Sequence, residues 1–175
     1  SHDQMAPFVV QERANGLNFP EGFWAQHRPE PLTIEDYLAA RWIAKPANLY
    51  DNDIPIMATA AYIFTTAERV GEHKQKPVYI LNHASSRTNA KSLTPSLQEV
   101  EDDTYFTGQK IYEGAGIGPD DLSFENMYDG FTLFHQFHLE GLRYRGVQNG
   151  EALDFYGTDI SNSGPNPTSP SGGNA

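Results

Sequence analysis

Two histidines stand three positions apart in the second half of the chain, a spacing that can serve metal binding. His135 and His138 would share one face of a helix, where both imidazoles could bind a metal ion. The same stretch is rich in phenylalanine, however, and Glu140 is the carboxylate nearest to the pair in sequence. We therefore predict core or interface histidines here and no metal site.

A cluster of carboxylates offers a second kind of chemistry. Glu99, Glu101, Asp102 and Asp103 lie within five positions, and paired carboxylates can act as a general acid and a general base. Their surroundings over residues 83–104 are polar and lack a clear hydrophobic period, which indicates an extended loop. We therefore interpret the cluster as part of a solvated surface, where runs of like charge are usually found.

A tyrosine offers a third kind of chemistry at a predicted junction between a strand and a helix. Tyr128 ends a predicted strand over 122–128 and precedes a predicted helix over 130–145. Side chains at such a junction lie beside the free N–H groups of the helix, where ligands bind in α/β folds. A tyrosine there can stabilise an oxyanion or act as a general acid or base, or it can simply anchor the chain. Asp129 is predicted to cap the helix.

The end of the chain could contribute backbone groups to a site. Residues 157–175 consist mainly of glycine, serine, proline, threonine and asparagine, a composition typical of a flexible linker. The alternative is a glycine-rich loop whose backbone approaches a ligand closely, because glycine has no side chain to keep the ligand away. The residues that such a loop would present are Asn166, Ser171, Gly172 and Gly173.

The elements that must position these groups form an alternating pattern, which predicts an α/β fold. Helices are predicted over 2–15, from Thr33 to Pro46, over 66–70, over 107–116 and over 130–145, and an irregular loop over 17–32. The helix over 130–145 is predicted to be deeply buried, because apolar residues surround it. Strands are predicted over 58–64, 77–81, 122–128 and 152–156. Thr33 and Asp36 resemble a capping box.

Composition excludes several classes of function. The 175 residues carry a net charge of −11, which argues against nucleic acids and anionic membrane surfaces as partners. No apolar run approaches the ~20 residues of a membrane-spanning helix, and the first residues do not resemble a signal peptide. The absence of cysteine excludes disulfides and a thiol nucleophile within the chain. We expect a cytoplasmic protein and, since the chain begins without methionine, a fragment or a processed chain.

Four segments, taken in order, resemble the carboxyl-terminal half of the thiolase superfamily. They are LTIEDYL at 32–38, AAYIFTTAER at 60–69, YEGAGIGPDDL at 112–122 and YDGF at 128–131. Within the superfamily the pattern is most similar to sterol-carrier-type thiolases and to the thiolase-like lipid-transfer proteins of bacterial steroid catabolism. The resemblance implies a layered α-β-α-β-α subunit, of which this chain is the carboxyl-terminal half with a mixed sheet and a buried helix.

The resemblance also implies a domain organisation. Residues 1–50 match the end of the loop region that covers the active site. Residues 51–175 match the carboxyl-terminal domain, truncated at its glycine-rich active-site loop. Thiolase subunits generally pair, so a homodimer is implied. The aldolase-like branch often works with a small OB-fold protein that carries a zinc ribbon, which implies a heteromer as well.

Site residues follow from the same resemblance. Tyr128 stands where thiolases have an asparagine, or a histidine in the sterol-carrier branch, that helps to hold the thioester oxygen. Tyr105 and Gly108 match a loop that lines the thioester pocket, which makes Tyr105 the second catalytic candidate after Tyr128 and Gly108 a substrate-binding candidate. Gly172 and Gly173 match the glycines that precede a histidine motif and a cysteine in thiolases, neither of which follows here. That pattern is similar to the steroid aldolase-like branch, in which the histidine motif has been lost.

The aldolase-like branch is similar to enzymes that cleave a β-hydroxyacyl-CoA between its α and β carbons. This retro-aldol reaction releases a steroid ketone and a short acyl-CoA, and coenzyme A enters as part of the substrate with no tightly bound cofactor. It needs a base for the β-hydroxyl proton and donors for the enolate-like thioester oxygen. Tyr128 could fill either role, provided that its neighbours lower its pKa from about 10.

Two alternatives stay open at this point. The chain could be half of a true thiolase, an acyltransferase whose cysteine and histidine lie outside these residues. It could also be a degenerate thiolase fold that binds lipids or acyl-CoA as a scaffold without catalysis. The carbon–carbon lyase is the reading that the tyrosine at position 128 and the glycine pattern favour.

Overall fold

The structure is a computed structural model that describes residues 1–57, 59–85 and 95–173. Its α-helices are α1 (Ala6–Leu17), α2 (Phe23–His27), α3 (Ile34–Ala39), α4 (Leu97–Ala115), α5 (Thr132–Leu142) and α6 (Ala152–Phe155). Short 3-10 helices occupy His2–Met5, Leu49–Asp51, Ala67–Glu72, Pro119–Asp121 and Tyr144–Gly146. Within the described ranges the sheet consists of an antiparallel hairpin, β1 (Trp42–Ala44) and β2 (Ala47–Asn48). Helices therefore dominate the described part of the chain.

Local capping explains where α3 begins. The Thr33 hydroxyl accepts a hydrogen bond from the Asp36 N–H at 3.1 Å, and the Asp36 carboxylate accepts one from the Thr33 N–H at 3.2 Å. The predicted capping box is thus confirmed. The helix ends at Ala39 rather than at Pro46, since the chain turns into the β1–β2 hairpin.

The same capping arrangement begins α4 and corrects the predicted loop over 83–104 from residue 97 onward, whereas residues 86–94 of that range lie outside the described residues. The Ser96 N–H donates to the Glu99 carboxylate at 2.7 Å and the Glu99 N–H donates to the Ser96 hydroxyl at 3.2 Å. The helix therefore starts at Leu97, ten positions before the predicted start at residue 107. The carboxylate cluster therefore lies on a helix, and Glu101 is buried instead of solvated. A Ser-x-x-Glu signal was present in the sequence, but the charged residues that follow it obscure the hydrophobic period.

Four predicted strands do not form strands in the described residues. Residues 59–64 and 77–81 have no regular secondary structure, and their apolar side chains are exposed, with Ile63 at 86% and Val78 at 94%. Residue 58, the predicted start of the first strand, lies outside the described residues. Strand pairing is non-local, so an apolar run indicates what a segment can bury but not whether a partner strand lies beside it.

The other two predicted strands differ for local reasons. Within residues 122–128, Glu125 forms an isolated parallel bridge with Thr168 of the tail. The described residues do not extend this single pairing into a strand. Residues 152–156 instead contain α6, whose first N–H, that of Ala152, donates to the Glu140 carboxylate at 3.0 Å. A short apolar run fits a helix or a strand equally well, and this contact favours the helix.

The hydrophobic core unites side chains from α1 and α3 with side chains from α5, α6 and the segments after them. Its buried members are Met5, Ala6, Phe8, Val9, Leu32, Tyr37, Leu139, Tyr144, Val147, Ala152, Tyr156 and Ile160. The core therefore draws on residues from both sides of position 50. Helix α5 forms as predicted, but its buried face is largely polar, with Thr132, His135, Gln136 and Glu140 inside and Phe131 exposed.

Helices α4 and α5 pack closely because a glycine on each removes a side chain from the contact. A Cβ atom on Gly141 would lie 2.6 Å from the Glu101 carbonyl oxygen, and one on Gly108 would lie 3.2 Å from Leu142 Cδ1. The Tyr112 hydroxyl donates to the Leu142 carbonyl at 2.7 Å and ties the two helices together. This contact places residues of both helices around one cavity.

Candidate active site

A cavity of about 280 Å³ lies between α4, α5 and the residues that precede α5. Its polar lining includes Tyr128, His138 and Asp103, and Gly108 lies in the same wall. Ligand pockets typically occupy ~300–1,000 Å³, so this volume suits the reacting end of a ligand rather than a complete coenzyme A ester. Three groups that can donate or accept protons therefore meet in one place.

The Tyr128 hydroxyl is directed toward Asp53 by a close approach to the backbone. Its Oη atom lies 3.5 Å from Asp53 Oδ2. A Cβ atom on Gly130 would lie 1.9 Å from that Oη atom, so only glycine at this position leaves room for the tyrosine ring. The Asp53 N–H donates to the Gly130 carbonyl at 3.0 Å. These contacts fix the tyrosine beside a carboxylate at the mouth of the cavity.

The surroundings of Tyr128 raise its pKa, contrary to the expectation that neighbours lower it. Desolvation is the largest cause, and the negative charges of Asp53 and Asp129 add to it. Each of these effects disfavours the phenolate. At neutral pH Tyr128 is therefore a protonated phenol, which can donate a hydrogen bond to an oxygen that gains negative charge but cannot remove a proton from a substrate.

His138 complements the tyrosine within the same cavity. Its Nδ1 atom lies 3.2 Å from the Tyr128 carbonyl oxygen, which requires a proton on Nδ1 and leaves a lone pair on Nε2. Desolvation is the largest cause that lowers the His138 pKa, so the imidazole is neutral at pH 7. A neutral imidazole with a free lone pair is a competent general base. The interpretation of His138 as a core or interface histidine missed this position on the cavity wall.

His135, by contrast, is a core histidine as predicted. The ring is fully buried and stacks on Phe8 with centroids 4.1 Å apart. Its Nδ1 atom lies 2.7 Å from the Tyr156 hydroxyl, and its Nε2 atom lies 3.3 Å from Glu125 Oε1. In the described residues no three His, Cys, Asp or Glu side chains are grouped as a metal site would require.

Tyr105, the second catalytic candidate, is not brought to Tyr128. It lies on α4 with its ring beside Phe106 and under the Arg143 guanidinium, whose Cζ atom is 5.1 Å from the ring centroid. Several of the residues that line the cavity come from the same helix, but Tyr105 is not among them. Helical spacing places Thr104 and Gly108 on the cavity side and turns Tyr105 away from it.

The glycine-rich tail lines a second, smaller cavity of about 180 Å³. Ser171, Gly172 and Gly173 form one wall of it, opposite Trp24 and Ile56. The predicted binding residues of the tail are therefore not all together. Asn166 lies elsewhere and donates to the Thr158 hydroxyl at 3.1 Å.

The described part of the tail is anchored rather than free like a linker. Asn15 on α1 donates to the carbonyls of Thr168 and Ser169 at 3.1 and 3.0 Å. A Cβ atom on Gly173 would lie 1.5 Å from Asp129 Oδ2, so the tail passes directly over that carboxyl group. The glycine-rich alternative describes this geometry better than the flexible linker does.

Asp129 is not the helix cap that the sequence predicts. The N-cap of α5 is Phe131, and Asp129 is buried beneath Gly173 together with Glu12 of α1. A signal for Glu12 was available, because this glutamate follows Met5, Phe8 and Val9 at helical spacing on the apolar face of α1. A charged residue on such a face has to find a buried partner, but its identity depends on the tertiary structure.

Comparisons with known proteins point to one group. The chain is 31% identical over 150 residues to a 17-hydroxy-3-oxo-4-pregnene-20-carboxyl-CoA lyase of Mycobacterium tuberculosis, covering 83% of this chain and 38% of that enzyme. It is 26% identical over 151 residues to a steroid side-chain-cleaving aldolase of Thermomonospora curvata, covering 84% of this chain and 37% of that protein. A thiolase subunit is among the more distant relatives. The chain thus spans well under half the length of these curated relatives.

A comparison with solved structures shows that the fold is shared with a known protein. A solved chain of an Ltp2–ChsH2 (DUF35) aldolase superposes on this structure with a TM-score of 0.82 and 22% identity, covering 99% of this chain and 45% of the other. At that identity the likeness establishes a shared fold. No protein-family profile matches the chain. Among the described helices, none has the length and apolar character needed to cross a membrane.

Proposed function

We propose that this chain, which has steroid-cleaving aldolases among its relatives, is the carboxyl-terminal part of a thiolase-like carbon–carbon lyase. The proposed reaction is the retro-aldol cleavage of a β-hydroxyacyl-CoA that carries a steroid or another bulky lipid side chain. One structural observation supports the proposal independently of these relatives. A protonated phenol and a neutral imidazole, those of Tyr128 and His138, line the same cavity.

The two groups divide the work of the reaction between them. His138 removes the proton of the β-hydroxyl group, and the bond between the α and β carbons breaks as that hydroxyl carbon becomes a ketone. The bonding electrons pass to the thioester, which becomes an enolate, and the Tyr128 phenol donates a hydrogen bond to its oxygen. The imidazolium of His138 then returns the proton to the α carbon and releases the short acyl-CoA.

The size of the cavity and the length of the chain support a larger assembly. We propose the layered α-β-α-β-α subunit of thiolases, with residues 1–50 at the end of its covering region and residues 51–175 in its carboxyl-terminal domain. A cavity of about 280 Å³ leaves the steroid and most of coenzyme A to surfaces outside this chain. Ser171, Gly172 and Gly173, together with Asn166 and Gly108, remain proposed substrate-binding residues.

Partners follow from the same relatives and remain proposals for this chain. The structural neighbour is named for a pair, Ltp2 and ChsH2 (DUF35), which supports a heteromer with a small OB-fold protein that carries a zinc ribbon. A homodimer is a further prediction of the thiolase resemblance, and a cytoplasmic location is a further prediction of the composition. Coenzyme A would enter as part of the substrate.

The reaction can be tested directly with the subunit that contains this chain and its partner protein. We expect a steroid β-hydroxyacyl-CoA to yield a steroid ketone and a short acyl-CoA in equal amounts, without consumption of free coenzyme A. Transfer of an acyl group to free coenzyme A would instead support the thiolase alternative. Tight binding of the ester without product after long incubation would support a non-catalytic scaffold.

The pH dependence of the reaction tests the role of His138. Since desolvation holds the pKa of His138 below the usual histidine value, the fraction of neutral imidazole grows as pH rises through that lowered pKa. We expect kcat to rise along an acidic limb in the same range, and we expect this limb to be absent from the residual activity of His138→Asn. Exposed His73 provides a matched control, because His73→Asn leaves the limb in place. An unchanged limb in His138→Asn would assign the base to another group.

A further inference from the structure

A buried glutamate lies where the two ends of the chain meet. Glu12 of α1 is 1% exposed, and its Oε1 atom would lie 2.4 Å from a Cβ atom on Gly173. The same Cβ position would be 1.5 Å from Asp129 Oδ2. The two carboxyl groups therefore meet under the glycine segment, one from each side.

In the part of the chain that the structure describes, the charges around Glu12 include no cation that compensates its carboxyl group. Asp129 and Glu125 face it with two further carboxyl groups, and the hydroxyl of Tyr156, the residue after α6, faces it as well. The guanidinium of its neighbour Arg13 lies instead over the Trp24 ring, 3.5 Å from the centroid. An isolated buried carboxylate is strongly disfavoured, so a group in this setting keeps its proton.

The hydrogen bonds lead to the same conclusion. Among the described residues no N–H group donates to Glu12, and the groups that approach its carboxyl closely are the Asp129 carboxyl and the Ser169 hydroxyl. Two carboxyl groups can form a hydrogen bond with one another only when one of them holds a proton. Desolvation raises the pKa of Glu12 well above its usual value, and the charge of Asp129 and the hydrogen bond to it raise it further. The nearby Ser169 hydroxyl lowers the pKa and offsets these effects only in part.

We propose that Glu12 and Asp129 share one proton, and that this pair holds the Gly172–Gly173 segment against α1. The glycine segment lies directly against α1, because a Cβ atom on Gly172 would lie 2.2 Å from the Gly16 nitrogen. Glu12 is thus a positioning residue for the loop that lines the second cavity, and Asp129 links that loop to Tyr128, its neighbour in sequence. This role does not depend on which reaction the protein catalyses.

Loss of the shared proton would place two adjacent carboxylates beneath the glycine segment. Because the folded-state pKa of Glu12 lies above its unfolded value, the native state binds the extra proton, and its stability falls as pH rises through the interval between the two values. The segment over Gly173 would then lose its support. The Gly172 N–H, which donates to the Ser169 carbonyl at 2.9 Å, reports on that change.

Hydrogen–deuterium exchange of the full chain at Gly172 tests the proposal. After correction for the intrinsic pH dependence of exchange, we expect the unmodified protein to lose protection at Gly172 as pH rises and the shared proton is released. Glu12→Gln keeps a neutral hydrogen-bond donor and should retain protection across the whole range. Glu101→Gln removes another buried glutamate, on α4, and should behave like the unmodified protein.

Infrared spectroscopy gives a second measurement, which detects the proton itself and is made on variants whose circular dichroism spectrum matches that of the unmodified protein. The unmodified protein should show the C=O band of a protonated carboxylic acid at neutral pH, and the part of that band due to Glu12 should be missing in Glu12→Gln. The proposal is overturned if the band does not differ between these two proteins. It is also overturned if Gly172 exchange follows the same corrected pH dependence in both.

Discussion

Tyr128→Phe is expected to lower kcat of the retro-aldol reaction by about a hundredfold or more, with a much smaller effect on KM. Removal of one donor that stabilises a developing oxyanion costs ~10²–10³ in kcat. The substitution keeps the aromatic ring, so its packing with Phe134, at 6.4 Å between centroids, should persist. What is lost is the hydroxyl that lies 3.5 Å from Asp53. The lost hydrogen bond should weaken stabilisation of the transition state rather than substrate binding, because the thioester oxygen carries its negative charge in the transition state.

The chain itself provides a control for this substitution. Tyr105→Phe removes the same hydroxyl from a half-exposed tyrosine of α4 that does not line the cavity. We expect its kcat to remain close to that of the unmodified protein. Both variants should give the same circular dichroism spectrum. Full turnover by a folded Tyr128→Phe variant, or an equal loss in Tyr105→Phe, would contradict the role assigned to Tyr128.

His135→Leu is expected to destabilise the protein by about 1–3 kcal/mol or more, the cost of leaving a buried hydrogen-bonding group without its partner, which is larger when that group is charged. Glu125 is 4% exposed and lies 3.3 Å from the His135 ring. Burial alone would raise the pKa of Glu125, but His135 and the N–H groups of Met127 and Ser169 outweigh it, so its pKa is lowered. Leucine fills a similar volume but leaves the carboxylate with a weaker set of donors.

The pH dependence distinguishes this mechanism from a simple loss of packing. A carboxylate whose folded-state pKa is lowered contributes stability above its unfolded pKa and loses that contribution as pH falls through the folded value. The difference in free energy of unfolding between the unmodified protein and His135→Leu should therefore be largest near neutral pH and should shrink in acid, where Glu125 is protonated. Urea unfolding at several pH values measures this difference.

A matched substitution separates the buried site from histidine in general. His73 is exposed, so His73→Leu should change the free energy of unfolding by no more than about 0.5 kcal/mol, as surface substitutions usually do. A difference between the unmodified protein and His135→Leu that does not vary with pH would indicate that packing against Phe8, rather than the contact with Glu125, accounts for the loss.

Whether a feature of this protein could be predicted from its sequence depends on how close together the interacting residues lie along the chain. The α3 capping box was predictable, because its hydrogen bonds join residues three positions apart. The early start of α4 at Ser96 was encoded just as locally, although charged residues hid it. The strands predicted over 58–64 and 77–81 were not predictable in this way, since a strand needs a neighbour supplied by another part of the chain.

The sequence by itself determined the chemical types available to this protein. It placed Tyr128 in a thiolase-like motif, excluded a thiol nucleophile within the chain and put a glutamate on the apolar face of α1. Those conclusions rest on residue identity and on spacing within single segments, which the linear chain contains in full.

Only the tertiary structure decided which of these groups work together. It turned His138 to the cavity of Tyr128 and His135 to the core, although the two stand three positions apart. It also brought Glu12 under Gly173, from the opposite end of the chain. The reason is physical, because a proton's position and a side chain's pKa depend on charges and burial in three dimensions, where residues distant in sequence become nearest neighbours.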